Sequence, residues 1–418
     1  LTGTPVENRL SELWSIFDYL MPGFLYGYDT FRREFEIPVV KNNDQEAMER
    51  LQRMVGPFIL RRLKQDVLRD LPEKTEEVRY VQMTGKQSIS FAKAVYIEGS
   101  AAIVGEKEKD GPLGEYFSHT LSDPMCGQES WEEGESELQL ATAKLAMQKA
   151  NVRPEQIRMI FAGDLLAQSI ASSFGLVDLN CPLYGLFGAC STMGEALSLG
   201  AMAVAGGYGD RVLAVTSSHF GTAEKEFRFP LAYGNQRPPS ASWTVTGSGA
   251  WVLGKTKSRV KITGATTGKI IDYGLKDNQN MGACMAPAAC DTIAQNLVDF
   301  NREPADYDRI VTGDLGVVGR EILLELLKKK GYDISEQHSD CGMLIFDPAK
   351  QDTGAGGSGC GCAASVLAEY LLPKLENGEW KRILFVPTGA LMSKVSFQEG
   401  SSVPGIAQAV VIEREEDV

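Results

Sequence analysis

The chain has 418 residues, enough for two or three domains of ordinary size. Hydrophobic residues make up 43% and charged residues 23%, which is typical of a globular protein with a sizeable core and excludes a disordered, collagen-like or disulfide-framework protein. There are 42 basic and 55 acidic residues, and this net charge of -13 disfavours general binding to phosphate backbones. We therefore expect no nucleic-acid partner.

The eight cysteines are widely spaced, without a CxxC pair or a His/Cys cluster at zinc spacing. This pattern is typical of reduced thiols in an intracellular compartment, and we predict neither a metal site nor a cofactor. No apolar run reaches the roughly 18 residues that a membrane-spanning helix needs, and no signal peptide is recognisable. Because the chain begins at Leu1 rather than at methionine, we expect it to be part of a longer protein.

The composition changes sharply near residue 82. Residues 1–82 contain 26 charged residues but only 4 of the 43 glycines, and they contain none of the cysteines or histidines. The remainder is rich in glycine and other small residues. We therefore predict two domains, 1–82 and 83–418.

The first domain is predicted to be helical. Apolar residues recur at helical spacing over 10–20, and Pro22 ends this helix. A second predicted helix runs over about 45–71, with an interruption at Gly56-Pro57.

Two motifs of this domain resemble a known family. LTGTPVENRLSELWSIFDYLMP (1–22) and PFILRRLKQDVLRDLPEKTE (57–76) are similar to the end of the first motor lobe of Swi/Snf-type helicase-like ATPases. The resemblance implies ATP-driven remodelling of nucleic acid, which also needs a phosphate-cradling GxxxxGK[ST] loop and a second lobe. We predict that the chain contains no such loop. Residues 1–82 are then a fragment that cannot hydrolyse ATP, with apolar helix faces that pack poorly.

The second domain contains an internal repeat. Three pairs of segments resemble each other: 157–165 and 307–315, 188–218 and 359–389, and 247–253 and 405–411. In each half, the first segment is a short apolar strand, the second is a small-residue turn before an apolar helix, and further strands follow. We therefore predict a duplicated α/β architecture with halves of roughly 83–257 and 258–418.

Cys190 stands in the small-residue turn before the apolar helix of the first half. A thiol at the start of a helix faces unpaired backbone N–H groups, which lower its pKa and can stabilise an oxyanion. This favours a nucleophile or a ligand contact. The alternative is an inert buried cysteine.

A duplicated α/β chain with this cysteine resembles the thiolase superfamily, and within it the stage V sporulation protein AD family. The motifs that carry the resemblance are EKDGPLG (108–114), AGDLL (162–166), LFGACST (186–192), TSSH (216–219), FRFP (227–230), TVTGSGA (244–250), MAPAA (285–289), TGDL (312–315), HSDCG (338–342) and GAGGSGC (354–360). The fold that it implies is thiolase-like, with duplicated α/β/α layers preceded by the helical helicase-like fragment.

The superfamily's condensing enzymes pair their cysteine with histidine or asparagine at two positions. Here the resemblance places Gly313-Asp314 at the first position and Cys360 at the second, and Thr388-Gly389-Ala390 replaces the second catalytic cysteine of thiolases. Without a positioned base the thiol lacks a route for its proton. We therefore expect a catalytically silent protein. The alternative is an active acyltransferase that uses Cys190 with another base.

The family resemblance implies that the protein binds dipicolinic acid, alone or with calcium, and assists its uptake into the developing spore. It further implies membrane-bound partners from the same operon, a homodimer, and an intracellular location at the periphery of the spore inner membrane. A flat dianion needs cationic or N–H donors around an apolar slot. The candidate ligand-binding residues are Asp164, Cys190, His219, Arg228, Asp314 and Cys360, with Arg237 as a further cation.

Several candidates have alternative interpretations. His219 could be a packed core histidine, and Arg228 could bury its stem between two phenylalanines. Asp164 and Asp314 could cap the following helices, which we favour for Asp314. Cys360 and Cys362 are more typical of small-residue packing than of a metal site. The motif around His338 is predicted to be a loop without zinc.

Overall fold

The computed structural model describes residues 10–59, 87–227 and 237–416. The chain divides into two compact units, Leu1–Gln82 and Met83–Val418. The described part of the first unit is helical, and the second unit contains all of the described strands.

The first unit contains both helices predicted for it. Its helices are α1 (Leu10–Leu20), α2 (Tyr28–Phe31), a π-helical turn (Arg32–Glu36), α3 (Ile37–Asn42), α4 (Gln45–Val55) and a 3-10 turn (Gly56–Phe58). The carboxylate of Asp44 caps α4 by accepting hydrogen bonds from the N–H groups of Glu46 and Ala47 at 3.0 and 3.1 Å. Residues 60–71 of the second predicted helix lie outside the described residues.

The expectation that this unit packs poorly is wrong for residues 10–59. Apolar faces of its helices meet in a small core formed by Leu13, Phe17, Leu25, Phe31, Phe35, Leu51 and Val55. Phe31 and Phe35 are fully buried. The helices therefore find partners within this segment, although Tyr19 remains 83% exposed.

The strands of the second unit, in chain order, are β1 (Ser88–Val104), β2 (Ile160–Asp164), β3 (Leu183–Gly185), β4 (Arg211–Ser218), β5 (Trp243–Thr244), β6 (Gly247–Gly254), β7 (Val260–Thr266), β8 (Arg309–Thr312), β9 (His338–Asp340), β10 (Gly357–Ser358), β11 (Arg382–Val386), β12 (Thr388–Ala390), β13 (Gly405–Ala407) and β14 (Ala409–Arg414).

Its helices are α5 (Glu106–Lys109), α6 (Trp131–Lys149), α7 (Ile170–Gly175), α8 (Thr192–Ala205), α9 (Phe220–Phe227), α10 (Met281–Phe300), α11 (Gly316–Lys329), α12 (Cys341–Ile345), α13 (Pro348–Gln351), α14 (Cys360–Val366), α15 (Leu372–Glu376) and α16 (Lys394–Gln398). A π-helical turn (Leu367–Leu371) joins α14 to α15, and 3-10 turns lie at Gly114–Tyr116, Pro154–Gln156, Val177–Leu179 and Pro304–Asp306.

Ten strands form one sheet in the order β3-β2-β4-β6-β1-β7-β14-β11-β8-β9. The order is a mirrored repeat, because β3-β2-β4-β6-β1 corresponds strand by strand to β9-β8-β11-β14-β7. In each half the first three strands are parallel, and the other two are antiparallel to their neighbours. The duplication predicted from the sequence is therefore confirmed.

The alignment of the third repeated segment needs a correction of one residue. Arg211 pairs with Gly254, and its counterpart Arg382 pairs with Glu413, so position 247 corresponds to 406 and not to 405. The register is the same on both sides of the break between β13 and β14, because Gly389 pairs with Ile406 in step with Arg382 and Glu413. At this break the side chain of Gln408 accepts a hydrogen bond from the N–H group of Gly268 at 3.1 Å.

The core lies in layers because strand residues alternate between faces. Val212 and Ala214 point into the central core, which also contains α8, α14 and strands of the second half. Leu213 and Val215 point to an outer core covered by α6. A matching outer core lies between the second half and α10 with α11, and includes Leu384. Helices α8 and α14 are therefore the shared middle layer.

The prediction that the sequence contains no GxxxxGK[ST] pattern is wrong, because residues 249–256 (GAWVLGKT) match the pattern. The structure shows why these residues do not form a phosphate loop. They begin inside β6, which is buried throughout and paired with β4 and β1. The chain then continues to β7 and not to a helix N-terminus, which is the element that binds phosphate in such loops.

The longest helix in the described part of the chain is α10, with 20 residues. Among the described residues, no helix is both long and apolar enough to cross a membrane.

One close backbone contact positions the turn before α8. A Cβ atom on Gly389 in β12 would lie 2.2 Å from the carbonyl oxygen of Gly188. Only glycine lets the second half approach the first so closely at this point.

Gly389→Ala should therefore lower the free energy of unfolding by about 1–3 kcal/mol, because overpacking forces the backbone apart. The measurement is urea-induced unfolding of the full chain. Gly185→Ala is the matched control, since the nearest atom to its added Cβ would lie 4.0 Å away. Equal stability of the two variants would contradict the close contact.

Candidate functional site

Cys190 lies in a tight turn two residues before the first residue of α8. Ala189 adopts a left-handed conformation with φ of 50°, which is uncommon for a residue other than glycine. The side chains of Ser191 and Thr192 hold the turn by donating hydrogen bonds to the carbonyl oxygens of Gly188 and Ala189 at 2.7 and 2.6 Å. The turn thus fixes where the thiol points, as the sequence predicted for a strand-to-helix turn.

The thiol of Cys190 is linked to Asp314 through Ser358. The hydroxyl of Ser358 donates to Asp314 Oδ2 at 2.9 Å, and Cys190 Sγ lies 3.8 Å from Ser358 Oγ. Because the serine proton is used toward Asp314, the thiol is the donor toward Ser358. The sequence placed Cys190 and Asp314 at one site, and the structure brings them together. It did not reveal Ser358, the last residue of β10, although this residue belongs to the GAGGSGC motif that contains the candidate Cys360.

The predicted lowering of the Cys190 pKa is wrong in direction. Burial raises the pKa of the thiol well above its ordinary value, and the nearby negative charge of Asp314 raises it further. Burial also raises the pKa of Asp314. Cys190 is therefore a protonated thiol at neutral pH and not a ready nucleophile.

Asp314 does not cap the helix that follows it, so our preferred interpretation is wrong. Its carboxylate accepts hydrogen bonds from Ser358, from the N–H group of Gly359 at 3.0 Å and from the hydroxyl of Thr388 at 2.8 Å. The start of α11 is capped instead by Asp340, which accepts from the N–H groups of residues 315 and 316 at 2.9 and 3.1 Å. The cap of α11 therefore comes from β9, the strand that pairs with β8.

Asp164, the counterpart of Asp314, is turned away from the thiol. Its carboxylate accepts hydrogen bonds from the N–H group and the hydroxyl of Ser172 in α7 at 3.1 and 2.9 Å. Beside it lies Glu135 of α6, which the sequence analysis missed. Glu135 accepts hydrogen bonds from Ser217 at 2.8 Å and Thr222 at 2.6 Å. Burial, together with the charge of Asp164, raises the pKa of Glu135 to about 8.

His219 is a buried histidine whose two ring nitrogens are both paired. Nε2 lies 2.8 Å from the carbonyl oxygen of Pro124, and Nδ1 accepts from the N–H group of Gly221 at 3.0 Å. The ring is neutral with its proton on Nε2, and burial lowers its pKa. These contacts match the packed-core alternative. The ring does not line the cavity at Cys190.

Cys360 is fully buried at the start of α14, and its thiol donates to the carbonyl oxygen of Ser217 at 2.8 Å. Cys362 is buried beside it. His338 and Cys341 do not lie in a loop as predicted, because they belong to β9 and α12. Within the described ranges, no group of three or more potential ligand residues could hold a metal ion.

Of the two candidate arginines, the structure describes Arg237. Arg228 lies outside the described residues. Arg237 forms a buried ion pair with Glu224 at 3.2 Å and donates to the carbonyl oxygen of Ser242 at 3.0 Å. Its guanidinium also lies 4.3 Å from the ring centre of Trp243.

A cavity of about 240 Å³ opens at Cys190. Its floor consists of buried residues that include Cys190, Thr244 and Ser358, and its rim of exposed residues from the segments after β2 and β12. Apolar side chains contribute most of the lining surface, and they belong to Leu165, Leu166, Ala167, Ala189, Ala223, Met281, Ala390, Met392 and Val395. The polar lining residues are Gln168, Cys190, Glu224, Glu226, Thr244, Asn278, Gln279, Ser358, Ser393 and Lys394. Among the sequence-predicted site residues that are described, Cys190 alone lines the cavity, and Asp314 reaches it through Ser358.

Comparison with solved structures identifies the fold of the second unit. A variant of OleA from Xanthomonas campestris superposes with a TM-score of 0.52 at 13% sequence identity, over 76% of this chain and 96% of that one. At this identity the likeness shows the fold alone. The second unit therefore has the thiolase-like fold that the sequence predicted.

The stage V sporulation protein AD family model matches residues 85–413. The stage V sporulation protein AD of Bacillus subtilis is 43% identical over 334 residues, which are 80% of this chain and 98% of that protein. The chain belongs to the stage V sporulation protein AD family and is a sporulation protein.

The N-terminal resemblance is also confirmed. Residues 1–129 match the SNF2-related domain model, although β1 (88–104) pairs within the sheet of the second unit. The human lymphoid-specific helicase is 36% identical over 119 residues, which are 26% of this chain and only 14% of that protein.

Glu135→Gln should change how stability depends on pH. The pKa of Glu135 is raised from 4.5 to about 8 in the folded state, so between these values the folded chain holds a proton that the unfolded chain lacks. The stability that this proton provides is lost as the pH rises toward 8. A glutamine does not titrate, so the variant should gain stability relative to the parent by up to about 1.4 kcal/mol per pH unit.

The measurement is urea-induced unfolding of the full chain at pH values from 5 to 9. Glu137→Gln on the exposed face of the same helix is the control and should follow the parent. Parallel pH profiles for Glu135→Gln and the parent would show that this carboxyl group is ionised.

Asp314→Asn should speed alkylation of Cys190. Removing the negative charge lowers the pKa of the thiol, and each unit of lowering increases the thiolate fraction about tenfold at neutral pH. Mass spectrometry of iodoacetamide-treated protein measures the rate at each cysteine. Asp340→Asn removes another buried charge as control. An unchanged rate at Cys190, with both variants folded, would contradict the electrostatic coupling.

Proposed function

We propose that the chain binds dipicolinic acid in the cavity at Cys190 and assists its uptake into the developing spore. The main support for this proposal is the small, mostly apolar cavity whose floor includes Cys190 and Ser358. The family resemblance supports the ligand, and membership of the sporulation family supports the process. The family resemblance also supports three further features. These are binding of calcium together with the ligand, membrane-bound partners from the same operon, and a homodimer at the spore inner membrane.

The size of the cavity supports a small ligand. Its volume of about 240 Å³ lies below the roughly 300–1,000 Å³ that is usual for ligand pockets. The apolar walls suit the faces of a pyridine ring, which needs no hydrogen bonds. A long acyl chain would need a deeper cavity.

The polar groups of the lining support a ligand with carboxylates. The side-chain amides of Gln168, Asn278 and Gln279 stand around the apolar walls. Amides can donate to carboxylate oxygens. They would fix the orientation of a flat ligand without adding charge to the protein.

The state of the thiol supports a binding role over catalysis. Cys190 is protonated, and the acceptor of its proton is a serine already committed to a carboxylate. His219 and His338, the described histidines that are buried, are both absent from the cavity lining. In this proposal the cavity keeps the shape of a condensing-enzyme site without its chemistry.

An acyltransferase remains the second candidate because the Cys190–Ser358–Asp314 chain offers one route for a proton. In that case Ser358 would relay the thiol proton to Asp314 when the sulfur attacks a thioester. Incubation with acyl-CoA followed by intact-mass measurement tests this route. A Cys190-dependent acyl adduct would favour the enzyme, and its absence would leave the binding role.

The principal test is calorimetric titration of the full chain with dipicolinate, with and without calcium. We expect saturable binding that Cys190→Ala weakens by about five- to tenfold, because the variant loses a side-chain contact in the cavity floor. Cys290→Ala is the matched control, since Cys290 is equally buried but lies outside the lining. Absence of binding by the parent would overturn the proposed function.

A further inference from the structure

The cavity carries charged groups at two depths. On the inner wall, Glu224 accepts a hydrogen bond from Thr244 at 2.9 Å and pairs with Arg237. At the rim, Lys394 of α16 faces Glu226 of α9, with 3.7 Å between Nζ and Oε2. Lys394 is the single cationic side chain among the described residues that line the cavity.

The inner pair is fixed in place. The side chains of Glu224 and Arg237 are only 4% and 7% exposed, and the guanidinium also bonds to Ser242 and stacks over Trp243. Separating a buried ion pair leaves an uncompensated charge in the interior, which is strongly unfavourable. The guanidinium of Arg237 is therefore committed to the protein.

The rim pair can exchange at little cost. The Lys394 side chain is 58% exposed, and its distance of 3.7 Å from Glu226 is longer than a hydrogen bond. The Glu226 side chain is 19% exposed, so water still reaches its carboxylate, and an ion pair whose lysine lies in solvent contributes little to stability. A lysine side chain has a long flexible stem, so its ammonium group can turn from one carboxylate to another.

We propose that Lys394 captures a carboxylate of the ligand at the cavity mouth and exchanges its ion pair with Glu226 for one with the ligand. This inference rests on the proposed function and adds the residue that selects for an anion. The ligand class is a small planar carboxylate with its charged edge toward the rim and its ring against the apolar walls. Glu226 holds the ammonium group in position while the cavity is empty.

Lys394→Gln is the first variant, and calorimetry of the full chain with dipicolinate is the measurement. Binding should weaken about tenfold or more, the usual effect of losing a charge-assisted hydrogen bond. Lys269→Gln is the control. Lys269 is 57% exposed and lies 3.9 Å from Asp291, and it does not line the cavity. It should leave the affinity unchanged.

An uncharged ligand separates charge capture from shape. Pyridine-2,6-dicarboxamide has the outline of dipicolinate without its charge, so Lys394→Gln should not weaken its binding further. The affinity of the parent for dipicolinate should fall with added salt more steeply than that of the variant, because salt screens exposed charges. Equal salt dependence of the two proteins would contradict capture by the ammonium group.

Glu226→Gln distinguishes capture from a purely structural role. If Glu226 only holds the ammonium group in waiting, this variant should bind dipicolinate as tightly as the parent or more tightly. Weakening equal to that of Lys394→Gln would mean that the pair merely braces α9 against α16, and would overturn the inference. If the parent binds dipicolinate and Lys394→Gln binds it equally well, the inference fails while the proposed function stands. If the parent does not bind, the proposed function itself fails.

Discussion

The arrangement at the centre of the second unit depends on the buried carboxylate of Asp314. A carboxylate without water must be surrounded by donors, because an unpaired buried acceptor is costly. Ser358, Gly359 and Thr388 supply these donors from two different segments. Their hydrogen bonds fix β10 and β12 around the turn that carries Cys190. The shape of the cavity floor is thus set by the needs of one acidic group.

The duplication explains why this floor has a single thiol. In the repeat, Cys190 corresponds to Gly361 of the second half. A Cβ atom on Gly361 would lie 2.3 Å from the carbonyl oxygen of Gly247, so this position has no room for a side chain. The two aspartates diverged as well. Asp314 faces the thiol, whereas Asp164 bonds to α7 beside Glu135. Two similar halves thereby build one asymmetric site.

The sequence predicted those features that depend on residues close together along the chain. Repeated apolar strands and small-residue turns located β2, β8 and the turn at Cys190 correctly. The errors concern partners that are distant along the chain. The residues near Asp314 do not indicate that its carboxylate accepts a hydrogen bond from Ser358, 44 residues later. They also do not indicate that Asp340 caps α11 in its place. The GxxxxGK[ST] pattern at 249–256 is a different case, because the repeated segment 247–253 already indicated a strand there. The thiol pKa depends on burial, which local sequence does not determine.

The β5–β10 ladder gives the cavity an optical consequence. Thr244 and Ser358, both in the lining, are paired residues of two short parallel strands. The residue before Thr244 is Trp243. Its indole ring stacks on the ring of Phe220 with 4.4 Å between the ring centres. The cationic groups of Arg237 and Lys107 also lie over the indole ring. Indole fluorescence responds to nearby charge, and this ring is joined directly to the cavity wall. A change in the emission of Trp243 is therefore the optical signal that we expect when a ligand fills the cavity.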